Sequence, residues 1–231
     1  MSMNIIVNGG SRGIGKEVVL YLAQDINNQI IVTGRNEKAL NRLSASCANV
    51  HPLSVDLSVL DKQSGTFKEK ILSHFKRVDV LINMAGMLVS KEFMKIGNDE
   101  ARLMMEINFF GPASVIRIVQ PLMQDGAHIV NISSMGGYQG SEKFNGLSYY
   151  SASKAAIACL SECLAEEFRN SGISVNCLAL GAVRTEMLEE AFPGYKAPVD
   201  AKEIARFISY FALNGQKFMN GKVIPVAVNT P

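Results

Sequence analysis

Short apolar runs alternate with longer amphipathic runs along the 231 residues of the chain. The short runs are rich in valine and isoleucine and do not alternate strictly, which is typical of parallel strands covered on both faces. They predict seven strands, at residues 4–8, 29–33, 50–55, 78–82, 128–132, 174–179 and 223–228.

The longer runs between the strands carry apolar residues at helical spacing. They predict helices at residues 15–25, 37–48, 64–74, 99–123, 150–170 and 201–213, with the fourth continuing past Pro112. Strands that alternate with helices imply right-handed crossovers and an open parallel sheet. The pattern therefore predicts an α/β fold, with a single doubly wound domain over residues 1–231 and a parallel, seven-stranded sheet.

The composition of the chain mainly argues against certain classes of protein and partner. Hydrophobic residues make up 48% of the chain, and 23 basic against 21 acidic residues give a formal net charge of +2. Neither disorder nor a nucleic-acid or membrane partner is indicated. No apolar run approaches the roughly 18 residues of a membrane span, and the N-terminus has no signal-peptide pattern. We therefore expect a cytoplasmic protein.

The histidines and cysteines form neither a metal-binding nor a disulfide pattern. The three histidines are far apart in the sequence, and no two cysteines stand in a Cys-x-x-Cys pair. We therefore expect no metal site and four reduced, mostly buried thiols, at Cys47, Cys159, Cys163 and Cys177.

A glycine-rich turn joins the first predicted strand to the first predicted helix. Its sequence is Asn8-Gly9-Gly10-Ser11-Arg12-Gly13-Ile14-Gly15. Glycine lets the backbone turn tightly and approach a pyrophosphate, while the N-terminus of the following helix offers amide donors and a positive potential. The spacing is Gly-x-x-x-Gly-x-Gly rather than the six-residue Rossmann fingerprint. Its place between strand and helix nevertheless favours a Rossmann-type nucleotide site.

The end of the second predicted strand bears on the choice of cofactor. An NAD(H) site is expected to have Asp or Glu there to bind the ribose 2′-hydroxyl, whereas this chain has Arg35-Asn36, and Arg12 in the glycine-rich turn. Two guanidinium groups suit a 2′-phosphate, because they form bidentate, charge-assisted hydrogen bonds. The pattern favours NADP(H), and the nearby Glu37 leaves NAD(H) as the alternative.

Tyr150 and Lys154 stand four residues apart at the start of a predicted helix. Residues at this spacing share one face of a helix. A phenol has a pKa of about 10, too high for a proton shuttle at neutral pH, and a nearby positive charge would lower it. The pair is therefore a candidate for acid–base chemistry, although the spacing alone is common.

Together with further motifs, these segments resemble the short-chain dehydrogenase/reductase family from Asn4 to about Val228. The glycine-rich turn matches the family's Thr-Gly-x-x-x-Gly-x-Gly, with Asn8 in the threonine place. Met84 departs from the family's Asn-Asn-Ala-Gly motif. The other matching positions follow in the family's order: Asp56-Leu57 after the third strand, Asn83-Met84-Ala85-Gly86 after the fourth, and then Asn108, Ser134, Tyr150 and Lys154.

The resemblance implies reversible hydride transfer between a nicotinamide cofactor and a carbonyl or alcohol. It assigns Tyr150 as the proton donor to the substrate oxygen, and Lys154 as the group that lowers the pKa of the phenol and binds the nicotinamide ribose. Ser134 would hydrogen-bond the substrate oxygen as charge develops on it, and Asn108 would hold a water that relays protons to Lys154.

Two of these assignments have rivals in neighbouring residues. Alignment with the family favours Ser134 over Ser133 as the catalytic serine. Tyr150 is favoured over Tyr149, because Ser153 lies four residues after Tyr149 and cannot supply a positive charge.

By the same resemblance, the cofactor would contact residues from six segments of the chain. Leu180 replaces the family's usual proline before Gly181, and Val183 and Thr185 would contact the nicotinamide carboxamide. The full predicted set is Gly9, Ser11, Arg12, Gly13, Ile14, Gly15, Arg35, Asn36, Asp56, Leu57, Asn83, Ala85, Gly86, Tyr150, Lys154, Gly181, Val183 and Thr185.

Two less regular segments bear on the substrate. Residues 186–199 form a short candidate lid that either covers the pocket or packs on the domain, with apolar side chains at Met187, Leu188, Phe192 and Tyr195. The glycine-rich residues 136–146, with Tyr138 and Phe144, are expected to line the opposite wall. Both segments indicate an apolar or aromatic carbonyl compound.

The sequence thus predicts an NADP-dependent oxidoreductase acting on CH–OH/C=O groups, a carbonyl reductase. The alternative is a nucleotide-sensing or scaffolding protein with little catalysis, which need not keep the complete catalytic set. The resemblance also implies a homodimer or homotetramer, paired through residues 99–123 and 150–170. Compatible apolar positions in the second segment are Ile157, Leu160, Leu164 and Phe168, although the core of the domain could use them equally well.

Overall fold

Parallel strands form one seven-stranded sheet in the computed structural model, which describes residues 2–228. The strands in chain order are β1 (Asn4–Asn8), β2 (Gln29–Gly34), β3 (Val50–Ser54), β4 (Val78–Asn83), β5 (Met123–Ser134), β6 (Ser174–Leu180), β7 (Val183–Arg184), β8 (Val199–Asp200) and β9 (Val223–Val226). The main sheet has the order β3-β2-β1-β4-β5-β6-β9, and β7 pairs with β8 separately. The predicted fold class is confirmed. The ends of the predicted domain, residue 1 and residues 229–231, lie outside the described residues.

Helices cover both faces of the sheet. They are α1 (Gly13–Leu22), α2 (Glu37–Ser46), α3 (Ser64–Leu72), α4 (Asn98–Met105), α5 (Gly111–Val119), α6 (Ser148–Glu167), α7 (Glu186–Ala191) and α8 (Ala201–Asn214). Successive strand side chains point to opposite faces, so Ile5 and Val7 join one core with α1, α2 and α8. Ile6 joins the other core, with α3, α5 and α6. Both faces of β1 are therefore buried, as its unbroken apolar run predicts.

The predicted helix at 99–123 is interrupted in the structure. The chain stays helical past Pro112, but α4 and α5 are joined by a π-helical turn, Glu106–Phe110, and Met123 already belongs to β5. Pro112 is the second residue of α5, directly after the π-helical turn, and its missing N–H removes one hydrogen bond from the continuous helix. Such π-helical turns are frequent at functional sites. This one carries the buried Asn108.

The structure corrects the expected burial of the cysteines and adds three short elements. Of the four free cysteines, only Cys177 is buried, because Cys159 and Cys163 lie on the solvent face of α6. The short elements α7, β7 and β8 were not predicted from the sequence. Within residues 2–228, no helix has the length and apolar character to cross a membrane, and no three His, Cys, Asp or Glu side chains are grouped as metal ligands.

Candidate active site

A cleft of about 1470 Å³ opens at the carboxyl ends of the strands. The order of the sheet reverses between β1 and β4, and open α/β sheets bind ligands at this kind of switch point. Three predicted site residues, Asn36, Asn83 and Asn108, do not line the cleft. The others all do: Gly9, Ser11, Arg12, Gly13, Ile14, Gly15, Arg35, Asp56, Leu57, Ala85, Gly86, Ser134, Tyr150, Lys154, Gly181, Val183 and Thr185.

The glycine-rich turn is shaped by close backbone contacts. Gly9 has a φ of +94°, and a Cβ atom on it would overlap the backbone of Ala85. A Cβ atom on Gly15 would overlap the carbonyl oxygen of Gly9. Side chains are therefore excluded at Gly9 and Gly15 for steric reasons. The N-terminus of α1 faces the cleft with its backbone uncovered.

The end of β2 holds the groups that bear on cofactor choice. Asn36 caps α2, because its Oδ1 accepts a hydrogen bond from the backbone N–H of Ala39 at 3.1 Å. Burial raises the pKa of Asp56, but hydrogen bonds from Ser58 and the nearby Arg35 guanidinium outweigh it and hold that pKa below its usual value. The cleft therefore presents an ionised carboxylate beside Arg35, and any cofactor contact of the Asn36 side chain stays a prediction.

A chain of buried side-chain hydrogen bonds crosses the sheet behind the cleft. Thr33 donates to Asn8 at 2.8 Å, Asn8 to Asn83 at 3.0 Å, Asn83 to Asn131 at 2.8 Å, and Asn131 to Ser161 at 2.9 Å. The strand residues are direct neighbours in the register of β2, β1, β4 and β5. We call these five residues the amide ladder.

The amide ladder connects the cofactor side of the cleft to the catalytic helix. Asn8 precedes the glycine-rich turn, while Ser161 lies on α6, which also carries Tyr150 and Lys154. Buried amides require partners, and here each asparagine both accepts from one neighbour and donates to the next. Asn83 uses its side-chain amide within the ladder, and its predicted cofactor contact stays a prediction.

Tyr150 and Lys154 lie one turn apart on α6, and both face the cleft. Lys154 is 4% exposed, and its ammonium donates to the carbonyl oxygen of Ile132 at 2.9 Å. Burial lowers the pKa of Lys154 to about 8, although the nearby Cys177 thiol raises it slightly. The ammonium is thus held in place and partly deprived of water.

The pKa of Tyr150 differs from the sequence-based expectation. Burial raises it above its ordinary value, and a hydrogen bond with the hydroxyl of Ser134 lowers it only in part. The Lys154 ammonium donates its hydrogen bond to the Ile132 carbonyl rather than to the phenol. In this structure the phenol is therefore kept protonated at neutral pH.

Side-chain contacts distinguish the two predicted catalytic residues from the serine and the tyrosine that precede them in the sequence. The hydroxyl of Ser133 donates to the backbone carbonyl of Lys154 at 2.6 Å, whereas Ser134 contacts Tyr150. The ring of Tyr149 stacks on Phe93 with centroids 5.6 Å apart and does not line the cleft. The geometry therefore favours Ser134 and Tyr150.

Asn108 lies behind the catalytic pair and is 1% exposed. Its amide accepts from the Met87 N–H at 2.7 Å and donates to the Met87 carbonyl at 2.8 Å and to Ser153 at 2.9 Å. A Cβ atom on Gly86 would lie 3.6 Å from Asn108 Oδ1 and 3.3 Å from Lys154 Nζ. Both polar atoms therefore face the same small space. Ser153 was not identified from the sequence as a positioning residue, although it lies between Tyr150 and Lys154.

The loop after β6 is held by the C-terminal strand. Gly181 donates its N–H to the carbonyl of Val226 at 2.9 Å, and a Cβ atom on Gly181 would overlap Ala227. These contacts restrain the loop in which Leu180 replaces the family's proline. Thr185 then caps α7, because its hydroxyl accepts from the Leu188 N–H at 3.2 Å.

The candidate lid lines the cleft. Its predicted apolar side chains all line the cavity, at Met187, Leu188, Phe192 and Tyr195. On the opposite wall Phe144 lines the cavity, whereas Tyr138 does not. Glu186, the first residue of the predicted lid, and Phe207 of α8 also line the cleft. Neither was predicted as a site residue, because its position depends on how α7 and α8 pack.

Comparison with known proteins agrees with this architecture. A family model described as short chain dehydrogenase matches residues 3–196. The chain belongs to the short-chain dehydrogenase family. As a member of this family it is an oxidoreductase.

Relatives within the short-chain dehydrogenase family cover nearly the whole chain. Carbonyl reductase family member 4 of Xenopus tropicalis is 31% identical over 229 residues, which cover 95% of this chain and 94% of the relative. An uncharacterised oxidoreductase of Staphylococcus epidermidis is 29% identical over 208 residues, or 89% and 88% of the two chains. A solved structure described as ElxO with NADP bound has a TM-score of 0.85 at 27% identity, with 98% and 97% coverage.

Proposed function

We propose that this oxidoreductase is an NADP(H)-dependent carbonyl reductase, which transfers a hydride between NADP(H) and a carbonyl or alcohol substrate. The observation that carries the proposal is the meeting of Ser134, Tyr150 and Lys154 in the same cleft as the glycine-rich turn. The names of the Xenopus relatives and the NADP bound to the structural neighbour ElxO support it.

The walls of the cleft fit a phosphorylated dinucleotide. The side-chain-free turn around Gly9 and Gly15 gives a pyrophosphate access to the N-terminus of α1. Arg12 and Arg35 both line the cleft and would hold the 2′-phosphate, while Asp56 would accept from the adenine amine. When bound, the nicotinamide supplies or accepts the hydride. Val183 and Thr185 would hold its carboxamide.

The remaining residues would carry out the proton transfer to the substrate oxygen. Tyr150, kept protonated by burial, donates its phenolic proton to the substrate oxygen, and Ser134 donates a hydrogen bond to the same atom. With a pKa of about 8, Lys154 is mainly charged at pH 7 and stabilises the phenolate that forms. A water in the space beside Gly86, held by Asn108, would return the proton through Lys154.

The shape of the lid supports an apolar or aromatic substrate. Phe192, Tyr195 and Phe144 line the cavity together with the aliphatic lid side chains. An apolar cover excludes water from the site of hydride transfer and strengthens the electrostatic interactions there. We expect ketones or aldehydes with an aromatic or long aliphatic substituent to be better substrates than small polar ones.

The replacement of Tyr150 by Phe tests the proposal directly. Positioned acid catalysis contributes about 10²–10⁴-fold, so kcat/KM for reduction of an accepted carbonyl compound should fall by that factor while NADPH still binds. Tyr149→Phe is the matched control, since it removes the adjacent hydroxyl outside the cleft. Activity of Tyr150→Phe within about tenfold of the unmodified protein would refute the proton-donor role. NADPH binding with no oxidation across a carbonyl panel would favour a nucleotide sensor.

We also propose a homodimer or homotetramer, for which α4, α5 and α6 offer a surface. Of the predicted contact positions, Ile157 is buried in the domain. Leu160, Leu164 and Phe168 are half-buried, and the last two also pack against the core of the domain. Leu103 and Phe110 are exposed instead, 37% and 48% respectively. Sizing chromatography with light scattering would show whether the chain assembles.

A further inference from the structure

Arg12 is shared between the cofactor cleft and the candidate lid. Its Nη1 lies 3.5 Å from Glu186 Oε2 and 3.8 Å from Glu190 Oε1. The two glutamates are four residues apart, on one face of α7. Arg12 and Glu186 both line the cleft. One guanidinium group thus faces two carboxylates at the place where a cofactor phosphate is proposed to bind.

These ion pairs lie between α7 and the glycine-rich turn, and all three side chains are at least half exposed. The contact continues at Gly13, where an added Cβ atom would lie 3.8 Å from Thr185 Cγ2. By contrast, Arg35 forms no ion pair with a carboxylate among residues 2–228, although it is close enough to lower the pKa of Asp56. The two arginines assigned to the 2′-phosphate therefore differ: Arg35 is free to accept it, and Arg12 is already engaged.

A 2′-phosphate would carry close to two negative charges into this environment. To reach Arg12 it must displace the two carboxylates or bind next to them, and both routes oppose its binding. NAD(H) has a hydroxyl group in place of this phosphate, so the same carboxylates affect it much less. The glutamates should therefore lower the affinity for NADP(H) more than the affinity for NAD(H).

We propose that Glu186 and Glu190 determine cofactor selectivity by competing with the 2′-phosphate of NADP(H) for Arg12. This inference rests on the proposed role of Arg12 in the function above. It makes the NADP(H) preference of the site a balance between two arginines that attract the phosphate and two lid carboxylates that oppose it.

The test is a cycle of variants titrated with NADPH and with NADH at low ionic strength. Binding is followed by the change in fluorescence of the reduced nicotinamide. In Glu186→Gln/Glu190→Gln, the Kd for NADPH should fall about three- to fivefold, as expected for exposed ion pairs, while the Kd for NADH stays within about twofold. The gain should shrink in high salt.

Two controls isolate the proposed competition. Glu189→Gln removes the same charge from α7, but the Glu189 carboxylate accepts from the Gly194 N–H instead of facing Arg12, so the ratio of the two Kd values should not change. In an Arg12→Gln background, the two glutamate substitutions should no longer favour NADPH.

Three results bear on the two proposals separately. A gain for NADPH no larger than that of Glu189→Gln, or a gain that persists without Arg12, overturns the competition. A selective gain for NADPH in a protein that nevertheless prefers NADH supports the competition and removes the proposed NADP(H) preference. Preference for NADPH together with no effect of the glutamates keeps the proposed function and refutes the inference.

Discussion

Removal of one member of the amide ladder should destabilise the protein far more than an ordinary polar-to-apolar substitution. In Asn131→Leu, the buried Asn83 Nδ2 loses its acceptor at 2.8 Å, and Ser161 loses the amide that donates to it at 2.9 Å. An orphaned buried donor costs about 1–3 kcal/mol, and a lost hydrogen bond about 0.5–1.5 kcal/mol. We therefore expect a loss of about 2–4 kcal/mol in the free energy of unfolding.

Urea titration at a fixed protein concentration measures this loss, provided that the m value does not change. Asn41→Leu is the matched control, because the same chemical change at an exposed position of α2 should stay within about 0.5 kcal/mol. The double variant Asn83→Leu/Asn131→Leu provides an internal check. It removes both apposed amides, so it should cost about 1–2 kcal/mol less than the sum of the single variants.

Two results would contradict the reasoning. One is an Asn131→Leu variant as stable as the Asn41→Leu control. The other is a double variant whose cost equals the sum of the two single costs, since the side chains would then not interact. Either result would mean that the hydrogen bonds of the ladder contribute no measurable interaction energy between β4 and β5.

Three further predictions follow from steric contacts and pKa values. Gly9→Ala would place a methyl group against Ala85 at a φ of +94°, so NADPH affinity should fall at least tenfold and the thermal midpoint should drop; an unchanged titration would refute the close contact. The pKa of Lys154 is lowered to about 8, so its charge is present below that pH and lost above it; kcat/KM should fall as pH rises through about 8, and a profile flat to pH ~9.5 would contradict this. His128 is fully buried, and burial lowers its pKa to about 4 from an ordinary 6.5. Because the unfolded chain binds this proton more readily than the folded one, the free energy of unfolding should fall by about 3 kcal/mol between pH ~6.5 and ~4. In urea titrations across this range, His128→Gln should flatten that slope.

Much of the fold could be predicted because its signals are local. Doubly covered strands such as β1 are uniformly apolar, so the alternation of strand and helix is visible without any tertiary information. The glycine-rich turn is equally local, because Gly9, Gly13 and Gly15 stand at short spacing between one strand and the next helix. Tyr150 and Lys154 could be paired for the same reason, since helical geometry alone places them on one face.

The tertiary structure decided what depends on residues far apart in the sequence. Asn8, Asn83 and Asn131 are separated by 75 and 48 positions, and only the register of the strands makes them hydrogen-bond partners. Likewise, nothing near Arg12 in the chain indicates that α7 places two carboxylates beside it. The exposure of Cys159 and Cys163 is also a property of the assembled surface.

The protonation of Tyr150 shows the division most clearly. Its spacing from Lys154 determined that a phenol and an ammonium share a helix face, and this much follows from the sequence by itself. Whether the pKa of the phenol falls or rises also depends on how much water the phenol keeps. The fold buries Tyr150 beside Ser134, and burial outweighs the hydrogen bond with that serine, so the pKa of Tyr150 rises. The helical period determines on which face of α6 each side chain lies. The pKa of that side chain also depends on its burial and its hydrogen-bond partners, which are contributed by residues far apart in the sequence.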